Sequence, residues 1–445
     1  MKEISLPTIK ITDAVNENFL RGCTAPPFRR YVRAMAKRNQ KENTYDVVIS
    51  GGGMVGMTLG CGLAACGIKA AVVDREKPAV QMAPTFDGRS TAIAFASYRM
   101  LEAIGFWKHV EKYAQAMEDI HVSDKGSVFF VHFAAQESGN HPMGFMVENR
   151  YIRMALAKRA KELKALTLIA PDSIGTHTKS PAGVSMTLKS GKKLKAPLLV
   201  SAEGRNSPLR EAAGIHLNKW SYKQTGIVAT IKHTLPHLGI AHEKFFPEGP
   251  FAILPLTGNR SSLVWSTREE YAPVILDLSD RAFEAEVAKK VGGFLGEVKV
   301  IGPRWSFPLS FMMAERATDE RLALVGDAGH AIHPIAGQGL NMGFRDVAAL
   351  IEVLVTAKAN GEDLGSAMVL ERYDRWRRTD NVTLGAATDA LTRLFSNNFP
   401  PVRLLRDVGL GLVQKSPPAK KFFVSHARGT LGNLPSLLRG ELPHA

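Results

Sequence analysis

The sequence predicts an α/β chain: a discontinuous domain of parallel strands and helices, an inserted and mainly antiparallel β domain, and a helical C-terminal region. Three observations predict it. Short apolar runs bounded by glycine or turn residues, typical of buried parallel strands, occur at 45–50, 68–74, 194–202 and 321–326. Alternating segments such as 226–232 and 261–267 mark a change of texture from about 216 to 308. Beyond 361 the pattern is helical, with a break at Pro400 and Pro401.

Taken in order, residues 45–50, YDVVIS, read as the first strand. Residues 54–67 read as a helix ending at Gly67, and 68–74, IKAAVVD, as the second strand. This is the size of a βαβ unit. Helical spacing recurs at 90–104 and 148–165, and strands are expected at 167–170 and 184–189. The first domain is therefore assembled from 45–118, 145–215 and 303–360, and the inserted domain from 119–144 and 216–302. Residues 1–44 form a basic N-terminal extension and 361–445 the helical region. Internal repeats and low-complexity tracts are lacking.

The 445 residues exceed one small core, and 45% apolar with 22% charged residues is ordinary for a folded chain. The formal charge of +15 suits nucleic acid, an anionic membrane surface or an anionic cofactor. Paired Cys/His fingers and aromatic RNA-binding signatures are missing, so no nucleic-acid partner is expected. Cys23, Cys61 and Cys66 are too sparse for a disulfide framework and point to a reducing compartment. Cys61 and Cys66 share a predicted helix and read as small buried residues. No apolar run reaches the ~18 residues of a membrane span. Lys2, Glu3, Lys10 and Asp13 exclude a secretory signal, and Glu3, Asp13 and Glu17 argue against a transit peptide. Arg21, Arg29, Arg30, Arg33, Lys37, Arg38 and Lys41, with no acid between 21 and 41, read as a solvated arm or as a basic membrane-surface anchor.

Gly51-Gly52-Gly53-Met54-Val55-Gly56 fits G-x-G-x-x-G, and it follows a strand and opens a helix as that motif requires. Gly51 permits the tight turn, Gly53 the approach of a pyrophosphate, and Gly56 the packing of helix on sheet. The helix start at Met54 and Val55 offers N–H groups and partial positive charge to phosphates. Asp74 ends the second strand and suits ribose hydroxyls, with Arg75 beside it. This motif indicates a dinucleotide without separating FAD from NAD.

Asp327 follows the strand at 321–326 and suits ribityl hydroxyls. The turn Gly337, Gln338, Gly339, Leu340, Asn341 leads into a helix that brings backbone donors and a dipole to a flavin's N1 and O2. Residues 321–343, RLALVGDAGHAIHPIAGQGLNMG, resemble the second FAD motif of para-hydroxybenzoate-hydroxylase-type group A flavin monooxygenases. The run GDAGHAIHPIAGQGLNMGFRD resembles the FAD-dependent ubiquinone-biosynthesis hydroxylases more closely still, over nearly the whole chain from about Tyr45. The fold implied is a Rossmann-like FAD-binding domain with an inserted substrate domain.

The resemblance assigns further residues. LLVSAEGRNSPLR at 198–210 carries Glu203-Gly204 where the family has Asp-Gly, a motif that contacts FAD and helps place the nicotinamide. The longer Glu preserves hydrogen-bonding kind but not geometry. Arg89, in DGRSTAIA, and Arg150, in ENR, resemble cofactor contacts, with surface ion pairing as the alternative for each. Arg210 reads as a structural ion-pair residue. Pro334, Gly337 and Gln338 would form the flavin-face environment, with no classical acid or base. His330 and His333 lack a third ligand, so no metal is expected.

The chemistry implied is hydroxylation of a polyprenylated phenol of ubiquinone biosynthesis, with NADPH or NADH as reductant and molecular oxygen as co-substrate, through a C4a-hydroperoxyflavin. A soluble phenol or olefin substrate, or a non-catalytic FAD-binding subunit of a biosynthetic assembly, are the alternatives. Phe245, Phe246, Phe251, Ile253 and Leu254 read as pocket wall or as plain core. The tail residues Phe395, Phe399, Leu404, Leu405, Phe422 and Phe423 suit either membrane-surface attachment or packing on the flavin domain. The resemblance also implies a cytoplasmic protein peripheral at the inner face of the membrane (the mitochondrial matrix in a eukaryote), in contact with other ubiquinone-biosynthesis enzymes.

Overall fold

The short apolar runs meet in one sheet. In a computed structural model, which describes residues 43–124, 130–139, 141–334, 337–395 and 416–443, Val47–Ser50 lies between Leu198–Ser201 and Ala70–Val73. Leu322–Leu324 and Leu166–Ile169 continue this sheet outward, all in parallel, and Thr318–Asp319 adds a short antiparallel edge. Alternate side chains leave opposite faces of a strand. Val47, Ile49, Val72 and Val200 pack beneath the helices Met54–Ala65, Asn149–Glu162 and Gln338–Ala359. Val48, Ala71, Val73 and Leu199 pack against a small antiparallel sheet of Ile174–Ser180, Gly183–Leu188 and Lys193–Ala196. Cover on both faces explains why these strands are apolar without alternation.

The second sheet has eight strands, in the order His330–Ala331, Val298–Ala314, Leu217–His233, Arg260–Arg268, Gly249–Leu256, Ile240–Phe246, Asp119–Asp124 and Phe130–Ala134. All pairs are antiparallel except Ile240–Phe246 with Asp119–Asp124. Here alternation has a clear meaning. Ile227, Phe251, Ile253, Leu263 and Trp265 form a core with the helix Asp280–Val291. Their neighbours Val228, Ala252, Leu254 and Val264 line a cavity on the other face. Residue 303, where the sequence suggested a return to the first domain, lies inside the strand Val298–Ala314.

One expected helix is partly a strand. Over 90–104, Ser90–Ala94 is extended and pairs with Gly144–Glu148, and the helix is Phe95–Ala103. A tertiary contact favours this: Asn341 accepts from the Ala94 N–H at 3.0 Å and donates to the Ala92 carbonyl at 2.8 Å.

The C-terminal region is helical at Ala367–Phe395 and Pro417–Ala427. It docks on the first domain: Arg345 donates to the Gly429 carbonyl at 2.9 Å, and the Ala96 N–H donates to the Arg428 carbonyl at 3.0 Å. Phe422 is exposed and Phe423 faces the cavity. Phe399, Leu404, Leu405, Pro400, Pro401, Cys23 and the basic segment 21–41 lie outside the described residues, as does the side chain of Phe395. Among the described residues no helix is long and apolar enough to cross a membrane. Cys61 is buried and Cys66 half-buried, and burial pushes their thiols up to about 12 and about 11.

Candidate functional site

The glycine turn has the geometry that its spacing implies. Gly51 has φ +105°, and a Cβ there would lie 2.3 Å from the Ala202 carbonyl oxygen. A Cβ on Gly56 would lie 1.9 Å from the Gly51 carbonyl oxygen, so the helix can start this close to the turn only without a side chain. Gly53 is different: a Cβ there would meet nothing within 4 Å. It caps Met54–Ala65, whose first turn carries no acid and no side-chain cap, leaving its N–H groups to an outside anion. Asp74 accepts from the backbone N–H of Gly52, from the Glu76 N–H at 2.7 Å and from Gln81 at 2.9 Å. It lines a small cleft with Gly52, Gly53 and Met54, and Arg75 beside it is exposed.

A second, larger cavity of about 1130 Å³ shares Gly53, Met54 and Arg153 with that cleft. It runs past Val55, Arg89, Gly204 and Asp327 to Pro334, Gly337, Gln338, Gly339, Leu340 and Asn341. It then opens onto the alternate face of the eight-stranded sheet. Val55 packs against Gly326 and Gly343, where a Cβ would lie 3.1 Å and 2.8 Å from its side chain, so the two glycine motifs interlock. Gly337 caps Gln338–Ala359 at φ +63°, and again no acid occupies the first turn. Asp327 is half exposed to the cavity, with Arg205 3.8 Å away. The side chain of Asn341 is spent on the backbone of Ala92, Ala94 and Gly337, so it positions the turn.

Beneath this turn lies a buried ion network. Asp346 accepts from the Gly326 N–H at 2.9 Å, His330 at 2.6 Å and Arg377 at 2.8 Å. Burial opposes its charge, but His330 and Arg377 outweigh burial and hold its carboxyl well below the usual range. Arg377 also pairs with Asp380, which binds Arg345 at 2.7 Å. His330 is thereby a structural residue. His333 lies 3.3 Å from Gln224, and burial pushes its ring down to about 4.

The arginines divide. Arg89 pairs with Asp87 at 2.9 Å, stacks on Phe307 and lines the cavity. Arg150 donates to the Met82 carbonyl at 3.2 Å and does not border the cavity. Arg153, missed in the sequence, binds Asp87 at 2.6 Å and lines both cavities, and its buried Nη1 has no partner among the described residues. An orphaned guanidinium N–H where two cavities join, beside a bare helix N-terminus, fits a pyrophosphate bridging adenosine and flavin ends. Its spacing of four from Asn149, on one helix face, was the available signal. Burial would raise the Asp87 carboxyl, but Arg89, Arg153 and Asn149 hold it well below the usual range.

Glu203 points away from the cavity. It accepts from Ser50 at 2.7 Å, Ser207 at 2.8 Å, Ser201 at 3.2 Å and the Leu209 N–H at 3.2 Å. It thus ties two strand ends to the helix Pro208–Ala212 and sets the backbone of Gly204 and Arg205, which do line the cavity. Glu203→Ala should lower stability by about 1–3 kcal/mol in chemical denaturation, because four donors lose their acceptor. Glu203→Gln, which keeps one oxygen, should lose less. Arg210 donates to the Arg205 and Ala328 carbonyls at 2.9 and 3.1 Å, a structural role.

Of the expected pocket residues, Phe245 and Leu254 line the cavity, whereas Phe246, Phe251 and Ile253 pack on the opposite face. Glu243 also lines it and was not anticipated. Among the described residues, Asp119, His121 and His132 bring ligand-type atoms within 4.8 Å of one another. They alternate with the cavity-facing Ile120 and Val131, so they lie on the far side of the sheet. There His121 packs edge-on against His132 and His242.

A family model described as an FAD binding domain matches residues 44–381. Ubiquinone hydroxylase UbiL of Rhodospirillum rubrum is 47% identical over 398 residues, covering 89% of this chain and 92% of that protein. The 3-demethoxyubiquinol 3-hydroxylase of Escherichia coli is 34% identical over 385 residues, covering 86% and 98%. Among solved structures, p-nitrophenol 4-monooxygenase PnpA from Pseudomonas putida matches with a TM-score of 0.73 at 16% identity, over 88% of this chain and 100% of that one, a likeness of fold.

Proposed function

Because this chain belongs to the family of FAD-dependent ubiquinone-biosynthesis hydroxylases, we propose that it inserts one oxygen atom into the aromatic ring of a polyprenylated phenol. The enzyme is a flavin-dependent monooxygenase, with FAD as cofactor, NADPH or NADH as reductant and molecular oxygen as co-substrate. The observation that carries the substrate reading is that one cavity joins the two glycine motifs to an apolar sheet face.

Bound FAD, once reduced, supplies the oxygen activation. The chain does the rest. Backbone N–H groups at Gly53–Val55 and the partnerless Nη1 of Arg153 would hold the pyrophosphate. Asp327 would accept from the ribityl hydroxyls, and the N-terminus of Gln338–Ala359 would place partial positive charge at the ring. Pro334, Gly337 and Gln338, which line the cavity, would form the wall beside ring and substrate, and Phe423 and Ala427, which line it too, would help to keep water out. An apolar substrate would be met at a membrane surface, which supports a peripheral location with the basic segment 21–41 as anchor and contact with other enzymes of the pathway.

Deleting the gene in its native host and analysing the quinone pool by mass spectrometry tests the reading. Accumulation of a prenylated phenol lacking one ring oxygen, with loss of ubiquinone, is expected. An unchanged pool in a strain with no second such hydroxylase would overturn it.

A further inference from the structure

One carboxyl interrupts the apolar wall of the inserted sheet. Along Ile240–Phe246 the residues Ala241, Glu243 and Phe245 face the cavity. Glu243 stands beside Val122 on one neighbouring strand and Ala252 on the other, with Ile120 and Leu254 next along those strands. It is half-buried, and its side chain borders the cavity. Among the described residues nothing hydrogen-bonds or ion-pairs with it. Burial alone lifts this carboxyl to about 8, so it keeps its proton at neutral pH. A neutral carboxyl offers one donor and one acceptor oxygen, and leaving both unmet is unfavourable.

Resting on the proposed function, we infer that Glu243 recognises the substrate, its carboxyl hydrogen-bonding a phenolic hydroxyl while the prenyl chain lies along the apolar remainder of the wall. The consequence is orientation. Oxygen goes to the ring carbon turned toward the flavin, so the edge held at Glu243 decides which carbon that is. The other charged groups bordering the cavity are Arg89, Arg153, Arg205 and Asp327 toward the cofactor end, with His426, while the His242 ring packs against His121 on the far side of the sheet. Asp124 lies on the same face of the next strand, beside Phe245, and Lys244 is on the opposite face. Burial holds His242 at about 4 and His426 below its usual value, so neither titrates above neutrality.

The test uses tag-free holoenzyme as wild type, Glu243→Gln and Glu243→Leu, titrated with a short-chain prenyl phenol without reductant while flavin absorbance is followed. Turnover assays then compare hydroxylated product with hydrogen peroxide. Glu243→Leu should weaken binding about tenfold or more and divert reducing equivalents to peroxide, while Glu243→Gln stays within about threefold at pH 7. From about pH 6 to about pH 9, wild-type affinity should fall as the carboxyl ionises, and Glu243→Gln should show no such fall. Flavin content and melting temperature separate misfolding from lost recognition. Unchanged binding and coupling in Glu243→Leu, or a wild-type pH profile in Glu243→Gln, would overturn the inference and leave the hydroxylase reading standing. A wild type inert toward prenyl phenols would overturn both.

Discussion

Gly53→Val should yield a folded protein that purifies without FAD. Position 53 has ordinary backbone angles, and a Cβ there enters open space, so the fold tolerates a side chain. That space is the junction of the two cavities, beside the bare helix N-terminus and Arg153 Nη1. A branched side chain there would keep a pyrophosphate off the backbone donors. The flavin-to-protein absorbance ratio should drop at least about tenfold, while the melting temperature of the apoprotein stays within about 2 °C of wild type. Gly56→Ala is the contrast. One methyl group placed 1.9 Å from the Gly51 carbonyl oxygen must push helix from turn, and should cost about 3 kcal/mol or more along with FAD binding. Normal flavin content in Gly53→Val would show that the turn does not hold the pyrophosphate.

Asp346→Ala should be the most destabilising change beneath the turn that opens the helix Gln338–Ala359. Its carboxylate is 1% exposed and is the common partner of His330, Arg377 and the Gly326 N–H. Removing it strands the buried Arg377 guanidinium, and breaking one side of such a pair costs about 3–5 kcal/mol. The pH dependence follows from the depressed carboxyl. Its contribution is present above the unfolded-state value of about 4 and is lost as pH falls through that value toward the native one. The stability gap between wild type and variant, measured by urea denaturation, should therefore be full at neutral pH and shrink only in acid. A gap below about 1 kcal/mol at pH 7 would refute the central role of this carboxylate. FAD affinity should fall too, because the Gly326 N–H bond sets the turn that carries Asp327.

Much of this molecule was legible in its sequence because the relevant physics is local. Buried parallel strands announce themselves by unbroken apolar runs, and alternation marks the strands of the inserted sheet. Gly51 and Gly56 are demanded by a turn only a few residues long. The tertiary structure decided what depends on residues distant in the chain. Ser90–Ala94 became a strand because Asn341, some 250 positions away, meets its backbone. Glu203 turned from the cofactor to four donors on neighbouring elements. Arg153 lines both cavities because they meet at its helix, and Phe423 lines the larger one because the helix Pro417–Ala427 packs beside it. Glu243 stands out only once the sheet has been paired and one face is seen to be an apolar wall. The sequence by itself determined the buried parallel strands and the dinucleotide-type glycine turn, since both are encoded within short windows, and its resemblance to a family named the flavin. Which polar groups are left without partners, and so free to bind, was decided by folding, because burial and pairing are properties of the assembled chain.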